Sequence, residues 1–285
     1  MEKAKVYFSK IITPEKLVEM YKVLGRRLKG RVAVKIHSGE PGGRHFISPA
    51  FMKGLVDFLN GAIVECNTAY EGRRFKTADH LQTLKEHGFT EIAPVDILDA
   101  EGDFILKVPN GRQIKKNYVG IGLKKYDSVM MLSHFKGHVM GGFGGALKNM
   151  SIGLASSRGK SYIHGAGKFG FDCEQDKFIE AMADADKSVM DYLGGNVAFI
   201  NVMKDLSVDC DCDSHPAKPE MADIGILSST DPVALDRACV DLVFNSADAG
   251  KAALIERIKS RRGELILEAA QSLGVGTCDY ELIEI

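Results

Sequence analysis

Short apolar runs rich in β-branched residues alternate with segments of helical periodicity along this chain, and that alternation limits the folds it can adopt. Seven of these runs are predicted strands, at residues 5–8, 32–36, 62–65, 92–97, 128–132, 197–201 and 224–227. Strands that alternate with helices form βαβ units, which assemble into parallel sheets. Asn110-Gly111, between two extended segments, is a hairpin signal. We therefore predict an α/β fold with a mostly parallel sheet, flanking helices and a projecting β-hairpin.

Helix signals support this prediction. Three residues supply a capping oxygen directly before a proline that suits the first helical position: Thr13, Ser48 and Asp231. Apolar residues then recur at helical spacing from Phe178 until Gly194, which places Met182 and Val189 in the core. A further helix with a solvated, charged face is predicted at 251–273.

Length and composition limit the functions that this chain can have. At 285 residues it can bury a sizeable core, and we expect one α/β domain over 1–285, although this length also allows two lobes. Hydrophobic residues make up 45% of the chain and charged residues 26%, which is a globular composition. The net charge of -1 and the scattered basic residues predict no nucleic-acid binding. A homo-oligomer is compatible with these observations.

Targeting signals and cysteines indicate the compartment. The first ten residues, MEKAKVYFSK, lack the apolar core of a signal peptide, and no apolar run reaches the roughly 18 residues that a membrane helix needs. Six cysteines are too few and too dispersed for a disulfide framework. We therefore expect a cytoplasmic protein with reduced thiols and no membrane partner.

The polar loops that follow the predicted strands are the first candidate binding sites, because ligands bind beyond the carboxyl ends of strands in open α/β sheets. The loops after the second and third strands carry donors suited to an anion. These donors are His37, Arg44, His45, Asn67, Thr68, Arg73 and Arg74. The alternative interpretation of both loops is a flexible surface with solvated charges.

The loop after the fifth strand, SHFKGHVMGGFGGALKN from Ser133, has the composition of a pocket. Its glycines allow backbone N–H groups to approach a ligand, and Lys136, His138 and Lys148 add charged donors. The spacing fits neither the Walker A motif nor GxGxxG, so it does not identify a nucleotide site. We predict that an anion binds near Gly144, Gly145 and Lys148, where a helix is expected to begin. Tight packing of two elements is the alternative explanation for the glycines.

The run DCDCDSH from Asp209 places two cysteines close together. In an extended chain Cys210 and Cys212 point to one face, where they could form half of a metal site that His215 or another histidine completes. The predicted cofactor is a single zinc or iron ion, and an acidic loop with two reduced thiols is the alternative. No cysteine pair has the C-x2-C spacing of a ferredoxin, so no built-in ferredoxin-type cluster is expected.

The same residues carry a resemblance to a known family. Over nearly the whole chain, and in the family's order, the sequence resembles the domain of unknown function family number 362. The most specific motif of that family is the glycine-lysine-asparagine run. The matching runs are VAVKIHSGEPGG from Val32, ECNTAYEGRR from Glu65, SHFKGHVMGGFGGALKN from Ser133, CDCDSHPAKPEMADIGIL from Cys210 and STDPVALDRACVDLV from Ser229.

The resemblance implies membership of a family, but it does not identify a reaction. Members of this family are often labelled uncharacterised iron-sulfur-centre proteins, and many carry a ferredoxin-like insert after the segment that matches Gly159, Lys160 and His164. This chain has only residues 166–173 at that place, which implies a member without the insert and a separate ferredoxin-like protein as its partner. The family positions carried over are Lys136, His138, Lys148, Asn149, His164, Cys210, Cys212, Asp231 and Asp236.

Two functional hypotheses follow. The first is an enzyme that acts on an anionic small molecule, with metal-assisted or redox-linked chemistry. Its predicted catalytic residues are His138, Lys136 and His37, and His138 is the proton donor or acceptor because the charge of a histidine changes near neutral pH. The predicted ligand-binding residues are Gly144, Gly145, Lys148, Asn149, Asn67, Thr68, Arg44, His45, His164 and Asp236. The second hypothesis is a non-catalytic ligand or metal carrier that serves a redox partner.

Overall fold

The structure of the protein, a computed structural model, describes residues 3–43 and 45–285. Arg44, a predicted ligand-binding residue, lies outside the described residues. The strands are β1 (Ala4–Ser9), β2 (Val32–Lys35), β3 (Ala62–Glu65), β4 (Val95–Ile97), β5 (Asp103–Lys107), β6 (Lys116–Gly120), β7 (Ser128–His134), β8 (Lys136–His138), β9 (Gly142–Gly144), β10 (Val197–Met203), β11 (Gly225–Ser229) and β12 (Tyr280–Glu284). The α-helices are α1 (Pro14–Lys22), α2 (Pro49–Leu59), α3 (Thr77–Glu86), α4 (Ala146–Leu154), α5 (Ser157–His164), α6 (Gln175–Leu193), α7 (Pro232–Asn245), α8 (Lys251–Ser260) and α9 (Leu265–Ser272).

Eight of these strands form one sheet in the order β12-β1-β11-β10-β7-β2-β3-β4. The strands β4, β3, β2, β7 and β10 pair in parallel with one another, and β12 pairs in parallel with β1. Only β11 runs against its two neighbours, β10 and β1, within the described sheet. The sheet is therefore mostly parallel and confirms the predicted fold class.

Helices cover both faces of the sheet, as the central strand β7 shows. Val129 and Met131 point into a core that contains residues of α4, α6 and α7, whereas Met130 and Leu132 point into a core built with α1 and α2. All seven residues of β7 are buried. Burial on both faces explains why the central strands appear in the sequence as continuous apolar runs without polar alternation.

The three predicted caps are present. Thr13 accepts a hydrogen bond from the N–H of Lys16, and Ser48 accepts one from Phe51. Asp231 accepts two, from Val233 and Ala234. In each case the following proline begins the helix, as its fixed φ angle favours.

The longest described helix is α6, with 19 residues. It ends at Gly194, whose φ of 54° lies in the left-handed region, and it buries Met182 and Val189 as predicted. The helix also carries the buried acids Asp184 and Asp186. Neither α6 nor any other helix of the described residues combines the length and the apolar character that crossing a membrane requires.

The predicted helix over 251–273 is two helices, α8 and α9. The chain turns between them at Arg262, which has a φ of 50°. The N–H of Gly263 donates to the carbonyl of Ile258 at 2.7 Å, across five residues. This is the bonding of a Schellman helix end, which charge periodicity does not reveal.

The predicted hairpin is the antiparallel pair β5 and β6, which is separate from the main sheet. Its connection spans 108–115, so it is longer than a two-residue turn. The carboxylate of Asp184 on α6 accepts hydrogen bonds from the backbone N–H groups of Arg112, Gln113 and Ile114 at 2.7 to 2.9 Å. The tip of the hairpin is therefore fixed to α6.

Candidate functional site

The loops that follow β2, β3, β7 and β10 lie together at one end of the sheet, because these strands run in the same direction. Between them is a cavity of about 420 Å³ that α4 and α5 help to line. Its position at the carboxyl ends of parallel strands is the usual ligand position in an open α/β sheet. This end of the sheet is the candidate site.

Eleven of the predicted site residues line this cavity. They are His37, Thr68, Lys136, His138, Gly144, Gly145, Lys148, Asn149, His164, Cys210 and Cys212. They come from five segments that are far apart in the sequence. Folding of the sheet therefore brings most of the predicted site together.

Asn67, His45 and Asp236 lie outside the lining. The amide of Asn67 donates to Thr77 Oγ1 at 2.9 Å, and its carbonyl oxygen lies 3.2 Å from Nδ1 of the buried His80. The ring of His45 lies 3.8 Å from the carboxylate of Asp205. The structure thus gives Asn67 a role in supporting the wall behind the cavity.

Asp236 caps the helix that begins beside the cavity. It accepts hydrogen bonds from the N–H groups of Ala146 at 2.8 Å and Leu147 at 2.9 Å, and from the amide of Asn201 at 2.7 Å. Burial raises the pKa of Asp236 to about 6, although these hydrogen bonds oppose the shift. A Cβ at Gly145 would clash with this carboxylate, so a glycine is required there. The first two N–H groups of α4 are therefore bonded to a carboxylate of the protein itself.

Other glycines of the glycine-rich run at 133–149 also allow close packing. Gly142, with a φ of 79°, lies against Gly263, and Gly137 lies against the backbone of Val208. By contrast, a Cβ at Gly144 would meet only ordinary contact, 3.7 Å from Lys148 Cδ. Tight packing accounts for more of these glycines than ligand wrapping does.

Basic side chains outnumber acidic ones in the cavity wall. Five basic residues line it, Lys35, Arg74, Lys136, Lys148 and Lys160, against the two acids Glu65 and Asp211. This excess of positive charge favours an anionic ligand, provided that the cations are not already paired.

Two of the cations are neutralised by the protein. Lys136 forms an ion pair with Asp211, and its Nζ also lies 2.9 Å from Nδ1 of His134. Arg74 lies 2.8 Å from a carboxylate oxygen of Glu40 and 3.3 Å from one of Glu65. The charge of Lys136, a predicted catalytic residue, is therefore largely compensated by Asp211.

Lys35 and Lys160 are held by neutral oxygens. Nζ of Lys35 donates to the carbonyl of Ile36 and, at 3.0 Å, to Oδ1 of Asn149. Asn149 in turn donates to Ser133 Oγ at 3.0 Å. Nζ of Lys160 donates to the carbonyl of Ala155 at 2.6 Å. Asn149 thus joins β2, β7 and α4 and fixes the direction of Lys35.

The ammonium of Lys148 is different. Within residues 3–43 and 45–285 no hydrogen bond or ion pair engages it, and the largest charge effects on it come from Lys136, Lys35, Arg74 and Lys160, which are all positive. Burial, together with these charges, lowers the pKa of Lys148 to about 7. An anion beside Lys148 would reverse this effect, because an opposite charge favours the protonated amine.

Glu65, at the end of β3, anchors the wall near His37. Its carboxylate accepts hydrogen bonds from the N–H of Ser38 and from Nε2 of His80, each at 2.6 Å. Burial would raise the pKa of Glu65, but the hydrogen bond from His80 and the charge of Arg74 outweigh it and hold the pKa well below its usual range. Glu65 is therefore ionised at ordinary pH, and it holds the loop after β2 in place through its hydrogen bond from Ser38.

His37, a predicted catalytic residue, is held by Arg74. Its Nε2 lies 3.2 Å from Nη2 of Arg74, and its Nδ1 lies 3.1 Å from the N–H of Gly39. Both neighbours are donors and a neutral imidazole offers one acceptor nitrogen, so the ring accepts from one of them at a time. Burial, and then the charge of Arg74, lower the pKa of His37 well below its ordinary value. The ring is neutral, and both of its nitrogens face donors of the protein.

His138 and His164 line the cavity through neutral rings. Nδ1 of His138 accepts the N–H groups of Met140 at 3.2 Å and Gly141 at 2.8 Å. Nδ1 of His164 lies 2.7 Å from the carbonyl oxygen of Lys160. Burial lowers the pKa of His138 well below its ordinary value and that of His164 to about 4.

Cys210 and Cys212 form a disulfide across Asp211, with their Cα atoms 5.2 Å apart. The expectation that both thiols are reduced differs from this structure. The two sulfur atoms and a ring nitrogen of His138 lie within 4.8 Å of one another, as ligands of one metal ion would. Because thiolates are the metal ligands, this group can hold an ion only after the disulfide is reduced.

Several lining residues were not predicted. A charged residue at the end of an apolar run, as in VAVK for Lys35 and AIVE for Glu65, is the sequence signal that could have identified two of them. Lys160 and Asp211 carry no such signal. They reach the cavity only because α5 and the segment after β10 fold over the end of the sheet.

Together, the mostly parallel sheet and the basic, histidine-lined cavity at its carboxyl edge define an α/β protein with a cavity at the usual ligand position of such sheets. The chain belongs to the family of the domain of unknown function DUF362, whose sequence model matches residues 32–241. No curated protein matches the chain closely enough to count as a relative.

The solved structures that align with this chain include proteins from two named organisms. The lactate racemase apoprotein from Thermoanaerobacterium thermosaccharolyticum aligns with a TM-score of 0.49 and 15% identity, over 83% of this chain and 56% of that one. A protein from Thermotoga maritima aligns with a TM-score of 0.49 and 14% identity, over 80% of this chain and 58% of that one. This chain thus covers less than two thirds of either neighbour, and at this similarity no ligand or reaction transfers to it.

Proposed function

We propose that the protein is an enzyme that acts on a small organic anion held by the ammonium of Lys148. The observation that supports this proposal is the environment of Lys148, which lines the cavity among four positive charges and has no acidic partner in the described part of the chain. Removing an ammonium from water without a counter-ion is costly. A carboxylate or phosphate would supply that counter-ion through charge-assisted hydrogen bonds.

The rest of the wall suits an organic anion of modest size. Met140, Ile152 and Phe171 contribute apolar surface to a cavity of about 420 Å³. Small-molecule sites combine such apolar lining with a few polar groups that fix orientation. Two neutral histidines beside the lysine add groups that can move or hold a proton. This combination favours an enzyme over a passive carrier.

Calorimetric titration with inorganic phosphate and with pyruvate, at pH 6.5, tests the proposal. The variant Lys148→Met keeps the length of the side chain but removes its charge, and it should bind at least one of these anions about tenfold or more weakly, because a hydrogen bond to a charged group contributes ~1.5 to 3 kcal/mol. Lys187→Met is the matched control, since Lys187 pairs with Asp191 on the outer side of α6. Unchanged affinity for both anions in Lys148→Met would refute the proposal.

A second role, as a metal carrier that serves a redox partner, is favoured by the closeness of Cys210, Cys212 and His138. We propose that the reduced cysteine pair binds one zinc or ferrous ion, since thiolates suit both ions and two protein ligands leave positions open for others. His138 would join only after its ring gives up these contacts or the Nε2 proton, because backbone N–H groups occupy the lone pair of Nδ1 and the one proton of the neutral ring is then on Nε2. A separate ferredoxin-like protein remains the proposed redox partner.

A further inference from the structure

Two of the four histidines that line the cavity, His138 and His164, are held in opposite tautomers. Backbone N–H groups can only donate, so Nδ1 of His138, which receives those of Met140 and Gly141, must present a lone pair. A neutral imidazole carries one proton, which in His138 is therefore on Nε2. This ring offers a hydrogen-bond donor.

His164 is arranged the other way. A carbonyl oxygen can only accept, so Nδ1 of His164 carries the proton that it donates to Lys160 at 2.7 Å. Its Nε2 is then a bare lone pair. The ring stacks on Phe178, with ring centroids 4.7 Å apart, and contacts Phe171 at 4.9 Å. Packing and the hydrogen bond to the helix backbone thus fix the ring and its tautomer together.

Both remaining nitrogens are available to a ligand. Neither Nε2 has a hydrogen-bond partner among the described residues, and neither is sealed from solvent. Both rings line the same cavity, and Lys148 lines it with them. The cavity lining therefore presents a donor, an acceptor and a positive charge to a small molecule.

We infer that His164 is the general base and His138 the hydrogen-bond donor for proton transfer at a carbon next to the carbonyl of a small oxo acid, an inference that rests on the proposed anion site at Lys148. In this step the C–H bond breaks and its proton forms an N–H bond with Nε2 of His164. The electron pair moves into the carbonyl, and the resulting enolate oxygen accepts a hydrogen bond from Nε2–H of His138. Lys148 holds the carboxylate, and no other reactant is needed.

The surroundings of each ring suit its role. The two N–H groups that donate to Nδ1 of His138 withdraw electron density from the ring, which strengthens Nε2–H as a donor. Burial and then the charges of Lys148 and Lys160 lower the pKa of His164, against the hydrogen bond to Lys160. A carboxylate on Lys148 offsets one of those charges, so substrate binding makes His164 a stronger base.

The tautomers can be measured on the unaltered protein. A long-range ¹H–¹⁵N NMR spectrum of the ¹⁵N-labelled full chain at pH 7 distinguishes the two tautomers and the charged ring for each of the eight histidines. Spectra of His138→Gln and His164→Asn assign the two signals. We expect His138 as the Nε2–H form and His164 as the Nδ1–H form. Finding either ring charged, or in the other tautomer, would overturn the inference.

Exchange in D2O tests the chemistry, with pyruvate and 2-oxobutanoate as probes. The protein should catalyse replacement of the C3 protons by deuterium, and His164→Asn should lower the rate about a hundredfold or more, as removal of a general base does. Lys187→Met is again the control, because Lys187 pairs with Asp191 outside the cavity lining, and it should exchange at the rate of the unaltered protein. Exchange at the full rate in His164→Asn, or no exchange of either probe by the unaltered protein, would overturn the inference.

Calorimetry on the same samples separates this inference from the proposed function. If pyruvate binds through Lys148 but does not exchange, only the acid–base assignment fails. If Lys148→Met binds both phosphate and pyruvate as tightly as the unaltered protein, the anion site itself fails.

Discussion

Lys136 and Asp211 form a buried ion pair beside the disulfide that joins Cys210 and Cys212. The pair compensates the charge of Lys136 and leaves Lys148 as a cation without an acidic partner among the described residues. Both lysines belong to one glycine-rich run, so the sequence alone does not distinguish their roles. Only the contact with the segment after β10 distinguishes the structural cation from the one that is available to a ligand.

The first prediction concerns the stability of this ion pair. Lys136→Met leaves the buried carboxylate of Asp211 with His134 as its remaining side-chain hydrogen-bond partner among the described residues, and loss of one partner of a buried pair costs about 3 to 5 kcal/mol. The double variant Lys136→Met with Asp211→Asn removes both charges and should recover much of this loss. Urea unfolding measures both effects, and a double variant no more stable than Lys136→Met would contradict the ion-pair assignment.

The second prediction is the pH dependence of anion binding. Burial and nearby positive charge lower the pKa of Lys148 to about 7, so the empty site loses its ammonium as the pH rises through 7. Affinity for pyruvate should therefore be highest below pH 7 and fall above it, by up to about tenfold for each pH unit. Burial also lowers the pKa of Lys35, to about 8, which continues the decline. Calorimetry between pH 6 and 8 should show no decline in affinity around pH 7 for Lys148→Met. The same decline in that variant would show that another group causes it.

The third prediction concerns Asp236, a sequence-predicted ligand residue. Asp236→Ala leaves three buried donors, on Ala146, Leu147 and Asn201, without their acceptor. Each lost partner costs ~1 kcal/mol or more, so the free energy of unfolding should fall by about 3 kcal/mol. Asp57→Ala, at an exposed ion pair on α2, is the control and should change stability by less than about 1 kcal/mol.

The effect of Asp236→Ala should also depend on pH. Because burial raises the pKa of Asp236 to about 6 in the folded protein, its contribution is fully present below its ordinary pKa and declines as the pH rises through 6. The difference in stability between the unaltered protein and the variant should therefore be larger at pH 5 than at pH 7.5. A larger difference at pH 7.5 would contradict the assignment.

Much of the fold could be predicted from the sequence because its signals are local. The caps at Thr13, Ser48 and Asp231, and the apolar runs of the central strands, depend on neighbours within a few residues. The boundaries of strands and helices that depend on tertiary contacts were harder to predict from the sequence. The strand predicted at 92–97 is shortened to β4 at 95–97, because Pro94 has no N–H to donate to a sheet. Strand β12 was not predicted, since as a half-exposed edge strand it lacks an apolar run.

The position of the site could be predicted from the sequence, but the roles of its residues could not. The rule that ligands bind beyond the carboxyl ends of strands located the loops that carry His37, Lys136 and His138. Which charges are paired depends on contacts between residues far apart in the chain, such as Lys35 with Asn149 and Asp236 with Ala146. Histidine tautomers depend on single backbone groups, which no sequence pattern records.

The fourth prediction concerns metal binding. Protein reduced and handled without oxygen should bind about one zinc or ferrous ion, and Cys210→Ser should lose it, because both thiolates are needed. Protein with the Cys210–Cys212 disulfide intact should bind none. Reconstitution with iron and sulfide should yield no labile sulfide, since none of the six cysteines has ferredoxin spacing. Stoichiometric sulfide that disappears in Cys210→Ser would contradict this prediction.

The most direct test of the anion site is an anomalous difference map from crystals of the protein grown with selenate at pH 6.5. Selenate is a divalent anion whose position the selenium signal marks, and charge-assisted hydrogen bonds place an anion oxygen about 2.7 to 2.9 Å from an ammonium. We predict a peak in the cavity with an oxygen at that distance from Nζ of Lys148, and its loss in Lys148→Met. Selenate bound only at surface lysines, with none in the cavity, would contradict the central claim that Lys148 holds an anion.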